Sequence, residues 1–388
     1  MKKGIAYLVC FFSFMQLYAA EQDSLRWSLL TCQPGREIYQ LFGHTALRCE
    51  KVKDGTDVVF NYGLFSFDAP HFVLRFIRGD TDYALGAESF SDFVESYRRR
   101  GRGIFQQRLN LTPAEAVRLW NALLENYKPE NRIYRYNYFF NNCTSKVRDR
   151  IEECVDGKVV YPADASVKSF RSIIHEYTKG SAWGEFGIDL LLGQDADEPV
   201  SVRERMFAPF YLSEYAKGTR IVTGDTVRNL VGSEGYVVAF AEAPSVPGFF
   251  LSPFVCAVLL LLLTMVVMSI QIKQKRICWG WDLCLFGAQG LAGIILFFLM
   301  FFSVQPTVDS NWLFMLLNPI PLFYLPFMIR KDVKRQRDAY HAINVGYLIT
   351  FMILMPLVRQ TFHASVVPLA LCLLVTSASH WLIYKSYP

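Results

Sequence analysis

Apolar residues follow two regimes along this chain. Up to residue 246 they alternate with polar and charged residues in short runs, as in a domain whose elements each bury one face. Beyond Pro247 they gather into five stretches, at about residues 249–270, 283–304, 312–329, 342–358 and 364–384. At 1.5 Å per residue each is long enough, or nearly so, to cross roughly 30 Å of hydrocarbon. The loop after the first stretch carries Lys273, Lys275 and Arg276, and the loop after the third carries Arg330, Lys331, Lys334, Arg335 and Arg337. The opposite loops hold only Asp309 and Arg359. The positive-inside rule therefore places the basic loops in the cytoplasm and residues 21–246 outside the inner membrane. The chain start agrees: Lys2 and Lys3 precede an uncharged run from Gly4 to Tyr18, then Ala19 and Ala20, the pattern of a secretory signal.

Within residues 21–246, one sizeable globular domain by length, the pattern predicts strands at Leu25–Thr31, His44–Cys49 and Val58–Phe67, the last after the turn signal Asp54-Gly55. A turn or short helix is expected at residues 34–37. Residues 89–100 form an amphipathic helix ending in Arg98-Arg99-Arg100, cations that suit a helix C-terminus. A second helix begins at Thr112, where Thr-Pro-Ala-Glu supplies a cap, a proline at the first helical position and a glutamate three residues after the cap. An aromatic, strand-like run from Tyr134 to Phe140 leads into a helix that starts at Cys143 and ends near Asp156-Gly157. Residues 168–178 and 203–217 read as helices and residues 219–241 as strands and turns, followed by the linker Ala243–Gly248. The fold class is an α+β exported domain followed by an all-α membrane domain of five helices.

The net charge of +5 is accounted for largely by the cytoplasmic loops and requires no nucleic-acid partner. Of the nine cysteines, Cys32, Cys49, Cys143 and Cys154 lie in the exported domain. No CxxC or Cys/His metal spacing is present, so neither a metal nor a cofactor is expected. An oxidising compartment permits a disulfide, and Cys32 with Cys49 is the pair best placed for one. Cys143 and Cys154 would lie about 16 Å apart along a single helix, too far to bridge.

A lone cysteine is commonly a small buried hydrophobe. The flanks of Cys143, Asn141-Asn142 before and Thr144-Ser145 after, argue against that setting. At a helix N-terminus its thiolate would be stabilised by unpaired amides and the helix dipole, and the same amides could hold an oxyanion. Phe42-Gly43-His44-Thr45-Ala46-Leu47-Arg48 supplies a base on a strand, with Gly43 permitting close backbone approach. His71 in a loop and His175 on an amphipathic helix fit structural roles better. Asn61, on the strand expected to pair with that of His44, can orient the imidazole by accepting its N–H. Arg48 and Asn142 are expected to touch substrate. Arg48 and Arg148 could each meet a phosphate, although single arginines are commonly solvated or paired with carboxylates such as Asp149.

Several separated blocks resemble the Lnb-type lipoprotein N-acyltransferases. They are Thr31–Gly35, Phe42–Arg48, Asn61-Tyr62-Gly63, Tyr136–Thr144, Trp183–Gly193, Asn311-Trp312-Leu313 and Asn318-Pro319, spread over most of the chain. The exported domain of that family is similar to permuted papain-like NlpC folds and to lecithin:retinol acyltransferase, in which histidine precedes cysteine. The resemblance implies Cys143 as nucleophile and His44 as base, and leaves the third residue open. It also implies the activity: an acyl chain moves from a membrane phospholipid, through a thioester, to the α-amino group of a diacylglyceryl-cysteine on lipoproteins. Asp309, Asn311 and Asn318, at the outer membrane face, would then help to position lipid or amine. A peptidoglycan endopeptidase or other cysteine hydrolase, and a non-enzymatic membrane assembly protein, are the competing readings.

Overall fold

The computed structural model describes residues 25–65, 70–241 and 251–387. The signal sequence and the linker Ala243–Gly248 lie outside them. Residue contacts divide the chain into two compact units, one formed by residues up to 167 with 200–244, the other by residues 168–199 with 245–388. The helix expected at 168–178 thus groups with the apolar helices, although its polarity resembles that of the exported domain.

The first unit is built on a seven-stranded antiparallel sheet. In chain order its strands and helices are β1 (Leu25–Cys32), β2 (His44–Lys51), β3 (Thr56–Leu64), α1 (Phe72–Arg78), β4 (Asp82–Ser89), α2 (Phe90–Arg99), β5 (Ile104–Leu109), α3 (Pro113–Tyr127), β6 (Ile133–Arg135) and α4 (Cys143–Cys154). Then follow β7 (Lys158–Val160), and, in the 200–244 segment, α7 (Val202–Arg205), α8 (Pro209–Gly218), β8 (Arg220–Thr223), β9 (Thr226–Asn229) and β10 (Val231–Val238). The sheet order is β10-β5-β1-β2-β3-β4-β6, and β7, β8 and β9 form a small separate sheet. Alternation along the strands feeds two cores. Trp27, Leu29, Leu47, Phe60 and Leu85 pack with Leu119 and Leu123 of α3 and Val147 and Ile151 of α4. Leu30, Ala46, Val59 and Ile104 pack with Phe93, Val94 and Tyr97 of α2. The first core seats α4 against the sheet, so the position of Cys143 is set by burial of Val147 and Ile151 one and two turns later.

The capping box at Thr112 and Glu115 is present. Several other expectations change. The third strand stops at Leu64 because Gly63 has φ +95°, which breaks the pleat. Only Ile133–Arg135 of the aromatic run is strand; Asn137 then accepts the N–H groups of Phe139 and Phe140 through Oδ1, and that turn competes with extension. The helix expected over 203–217 is two helices, restarted at Pro209. Cys32 and Cys49 are not bridged. Cys32 lies opposite His44 and Cys49 opposite Trp27, and they point into different cores on opposite faces of the sheet.

The second unit holds α5 (Phe170–Thr178), α6 (Ala182–Leu191), α9 (Pro253–Gln274), α10 (Trp279–Phe302), α11 (Leu313–Leu316), α12 (Ile320–Val333), α13 (Tyr340–Leu354) and α14 (Val366–Tyr384). Among the described residues four spans are long and apolar enough to cross a membrane: Pro253–Gln274, Trp279–Phe302, Leu313–Val333 and Val366–Tyr384. The third is interrupted between α11 and α12 at Leu317–Pro319. The fourth expected stretch is the shorter α13, 15 residues or about 22 Å, which ends just before Pro356.

Arg171 of α5, 1% exposed, organises the 168–199 segment. Its guanidinium donates to Asp189 Oδ1 at 2.8 Å, to Asp197 Oδ2 at 3.0 Å and to the carbonyls of Leu192 and Gly193, each at 2.9 Å. Removing one member of a buried charge network leaves the others unpaired. Arg171→Met is therefore expected to destabilise this unit by about 3–5 kcal/mol, read as a lowered unfolding temperature of the detergent-solubilised protein. An unchanged unfolding temperature would refute the assignment.

Candidate active site

Cys143 is the first residue of α4, and the cap before it decides which amides are free. Asn142 Oδ1 accepts the N–H groups of Thr144 at 2.8 Å and Ser145 at 2.9 Å, while the Ser145 hydroxyl accepts the Asn142 N–H at 2.8 Å. Asn142 Nδ2 donates to the carbonyls of Tyr138 and Phe207. Every polar group of that side chain is engaged, so Asn142 builds the turn rather than meeting substrate. The expectation that several helix amides would hold an oxyanion is narrowed accordingly: of the first three amides of α4, two belong to Asn142 and the N–H of Cys143 remains.

The β2–β3 ladder ends at Leu47 opposite Phe60, and past that point the His44 and Asn61 side chains meet. Asn61 Oδ1 is hydrogen-bonded to His44 Nε2, and Asn61 Nδ2 reaches toward Glu88 Oε1 at 3.4 Å. With Nε2 held, Nδ1 is the ring nitrogen left to face Cys143, whose charge and that of His44 act on each other. Gly63 lies beneath the pair: a Cβ there would stand 3.5 Å from Cys143 Cβ and 3.9 Å from His44 Cε1, at a φ that side chains rarely adopt. Gly43 has φ +78°, and a Cβ on it would fall 2.5 Å from the Cys32 carbonyl, so only glycine lets β2 begin where His44 must sit.

Burial alone would push the Cys143 thiol up, but the His44 charge, its hydrogen bond, the Thr144 hydroxyl and the Thr45 N–H outweigh burial and bring it below the ordinary thiol value. Burial likewise disfavours charged His44, yet the Cys143 thiolate and Asn61 raise it above the ordinary imidazole value. The shifts are reciprocal. Each charge is favoured by the other, as in a thiolate–imidazolium pair. The other described cysteines of this unit differ: burial pushes Cys32 and Cys49 each up to about 12 and raises Cys154.

Two family models match the chain, the Lnb N-terminal periplasmic domain over residues 16–175 and the Lnb transmembrane domain over residues 245–387. The chain belongs to the Lnb family. It is an inner-membrane protein with a periplasmic sheet-rich domain and a helical transmembrane domain. No curated protein and no solved structure matches it.

In this Lnb-family chain the other expected site residues have defined places. The Arg48 guanidinium makes two bonds to Asp57, at 2.8 and 2.7 Å, donates to Gln106 at 2.8 Å and lies 3.4 Å over the Phe90 ring. It ties strands of the sheet together. Arg148 is bound to Asp149 and the Arg203 carbonyl. His175 bonds both Asp189 oxygens, at 2.9 and 3.0 Å, and His71 is an exposed residue at the start of α1. Asn311 donates to the Leu190 carbonyl at 2.8 Å and accepts from Gln360 at 2.9 Å and from the Leu313 N–H. Asn318 donates to the Met315 carbonyl and caps Ile320. Both asparagines thus serve the second unit's own framework, and Asp309 is exposed.

Tyr83, Tyr134 and Tyr136 border the site, a place not assigned to them from the sequence. Burial pushes their phenols up; the Cys143 charge adds next for Tyr83 and Tyr134, and after the Tyr83 charge for Tyr136. The Tyr134 hydroxyl is buried with no hydrogen-bond partner among the described residues. The signal for Tyr134 and Tyr136 was an alternating aromatic run, which is equally the signal of a core strand, and Tyr83 had none.

Proposed function

We propose that this protein is a lipoprotein N-acyltransferase that works through a Cys143 thioester, with a membrane phospholipid as acyl donor and a diacylated lipoprotein as acceptor. The observation that carries the reading is the reciprocal Cys143–His44 pair, with Asn61 on the far ring nitrogen. In the first half-reaction the Cys143 thiolate attacks the phospholipid ester carbonyl. Imidazolium His44 then protonates the departing glycerol oxygen, which leaves lysophospholipid and the thioester. In the second, the lipoprotein amine attacks the thioester, neutral His44 takes the amine proton, and the thiolate leaves. The product is an amide, and the starting ion pair is restored.

A lipid substrate fits the surroundings. Phe65 stacks on Tyr83 at 4.9 Å and on Phe72 at 5.4 Å, and Tyr83 stacks on Tyr136 at 4.1 Å. Beside this ladder Ile38, Leu64, Val73 and Leu74 are exposed, an apolar border suited to acyl chains. The Cys143 N–H is one oxyanion donor, and the partnerless Tyr134 hydroxyl is the second in this reading. Tyr134→Phe is expected to lower kcat on the order of 10²-fold while leaving the rate of Cys143 alkylation unchanged. An unaltered kcat would remove Tyr134 from the mechanism.

The reading is tested with purified enzyme and phospholipid vesicles. Without acceptor, lysophospholipid should form once per enzyme and stop; with a diacylated lipopeptide, release should become catalytic and the peptide should gain an acyl mass on its α-amine. Continuous fatty-acid release without acceptor would instead identify a hydrolase.

A further inference from the structure

Four helices of the second unit each send one ionisable side chain into the same buried place. They are Asp282 on α10, Asp332 on α12, His341 on α13 and His380 on α14; Asp282, His341 and His380 are 0% exposed and Asp332 6%. One ligand atom from each of Asp332, His341 and His380 lies within 4.8 Å of the others. Asp282 Oδ2 is 2.9 Å from His380 Nε2. The two imidazoles stack with centroids 4.1 Å apart. Ionisable groups buried this completely are costly unless they are paired or used.

The hydrogen bonds leave three atoms of this cluster without partners among the described residues: Asp282 Oδ1, Asp332 Oδ2 and His341 Nε2. The atoms behind them are anchored. Tyr384 donates to Asp332 Oδ1 at 2.7 Å, and His380 Nδ1 faces the Thr376 carbonyl at 2.8 Å. A carbonyl only accepts, so Nδ1 carries a proton and Nε2 is the lone-pair nitrogen of neutral His380. That lone pair faces a carboxylate oxygen, an arrangement that requires a cation between the two atoms, either a proton or a metal ion. His341 Nδ1 lies 3.4 Å from Ser377 Oγ, which leaves its Nε2 directed elsewhere. Imidazoles whose far nitrogen is held by a carbonyl or hydroxyl, with carboxylates held by a tyrosine, are the surroundings that metal ligands have. A bundle core with one ligand from each of several facing helices is a common place for such a site.

We propose that Asp332, His341 and His380, completed by Asp282, bind one divalent first-row transition-metal ion of the zinc class. The three mutually close ligands are two nitrogens and one carboxylate oxygen; with the Asp282 carboxylate beside His380 as the fourth, the set suits zinc and makes the ion a structural tie between α10, α12, α13 and α14. The proton between His380 and Asp282 leaves when the metal binds. Asp282 lies at the start of α10, Asp332 at the end of α12, His341 at the start of α13 and His380 near the end of α14, so the tie is at the basic-loop end of the bundle, the cytoplasmic end.

Metal content of the full-length, tag-free protein in detergent tests this, independently of acyl transfer. After removal of metal by chelator and reconstitution separately with zinc, manganese, iron(II) or cobalt(II), wild type should retain about one equivalent of zinc per chain and unfold at a higher temperature than the metal-free protein. His341→Gln and Asp332→Asn should each reduce retained zinc by about tenfold or more. Cobalt(II) in the wild type should give the visible bands of a four-coordinate site, a readout that does not depend on the variants folding. Less than about a tenth of an equivalent of every metal in reconstituted wild type would overturn the proposal. So would wild-type zinc content in both variants, which would mark the ion as adventitious.

Discussion

Cys143→Ala is expected to fold and insert normally but to lose acyl transfer on the order of 10⁴-fold or more, because no neighbouring group can form the thioester. Thr144 is the nearest alternative nucleophile, and its hydroxyl is hydrogen-bonded to Thr45 at 3.1 Å with no base of its own. The positive counterpart is a mass measurement. Wild-type protein incubated with phospholipid and no acceptor should gain one acyl group on the peptide that contains Cys143, and hydroxylamine should remove it. Cys32, Cys49 and Cys154, whose thiols are held protonated by burial, should remain unlabelled. Acylation of any of these, or full turnover by the alanine variant, would end the thioester mechanism.

His44→Ala should reduce turnover by roughly 10²–10⁴-fold, the usual contribution of a positioned acid–base group. Asn61→Ala removes one hydrogen bond to a charged ring, about 1.5–3 kcal/mol, or roughly a 10- to 100-fold loss. The pH dependence separates their roles. Cys143 is shifted down and His44 up. The reactive ion pair therefore exists above the depressed cysteine transition and disappears as pH rises through the raised histidine transition, and the two titrate as a pair. Phospholipid-dependent acylation of the enzyme should be bell-shaped over that window. Alkylation of Cys143 by iodoacetamide needs only the thiolate, so it should persist to pH values below the ordinary thiol range. In His44→Ala the alkylation midpoint should move up toward the ordinary cysteine value, and in Asn61→Ala it should move in the same direction but less. An unchanged alkylation profile in His44→Ala would show that the histidine does not polarise the thiol.

The parts of the site that are local in sequence were readable without coordinates. The cap, the helix start and the cysteine lie in consecutive residues of one block, and His44 follows a glycine at the head of a strand, so their types and order point to a thiol enzyme. The role of Asn142 was not readable: donor and acceptor counts around the α4 turn decide it, and they depend on where the Tyr138 and Phe207 carbonyls fall. Arg48 was open for the same reason. Its partners Asp57 and Gln106 lie 9 and 58 residues away, and only the sheet brings them to it.

Hydropathy, loop charge and short motifs act over a few residues, so the two-solvent architecture, the orientation in the membrane and the candidate cysteine and histidine were legible in the chain. Only the tertiary structure shows that Cys32 and Cys49 face opposite cores, that residues 168–199 group with the membrane helices through bonds from Asn311, Gln360 and Thr361, and that Asp282, Asp332, His341 and His380 converge. Each of these depends on groups far apart in the chain meeting in a buried place. There the cost of an unpaired polar atom selects its partner, and spacing along the sequence carries no record of that choice.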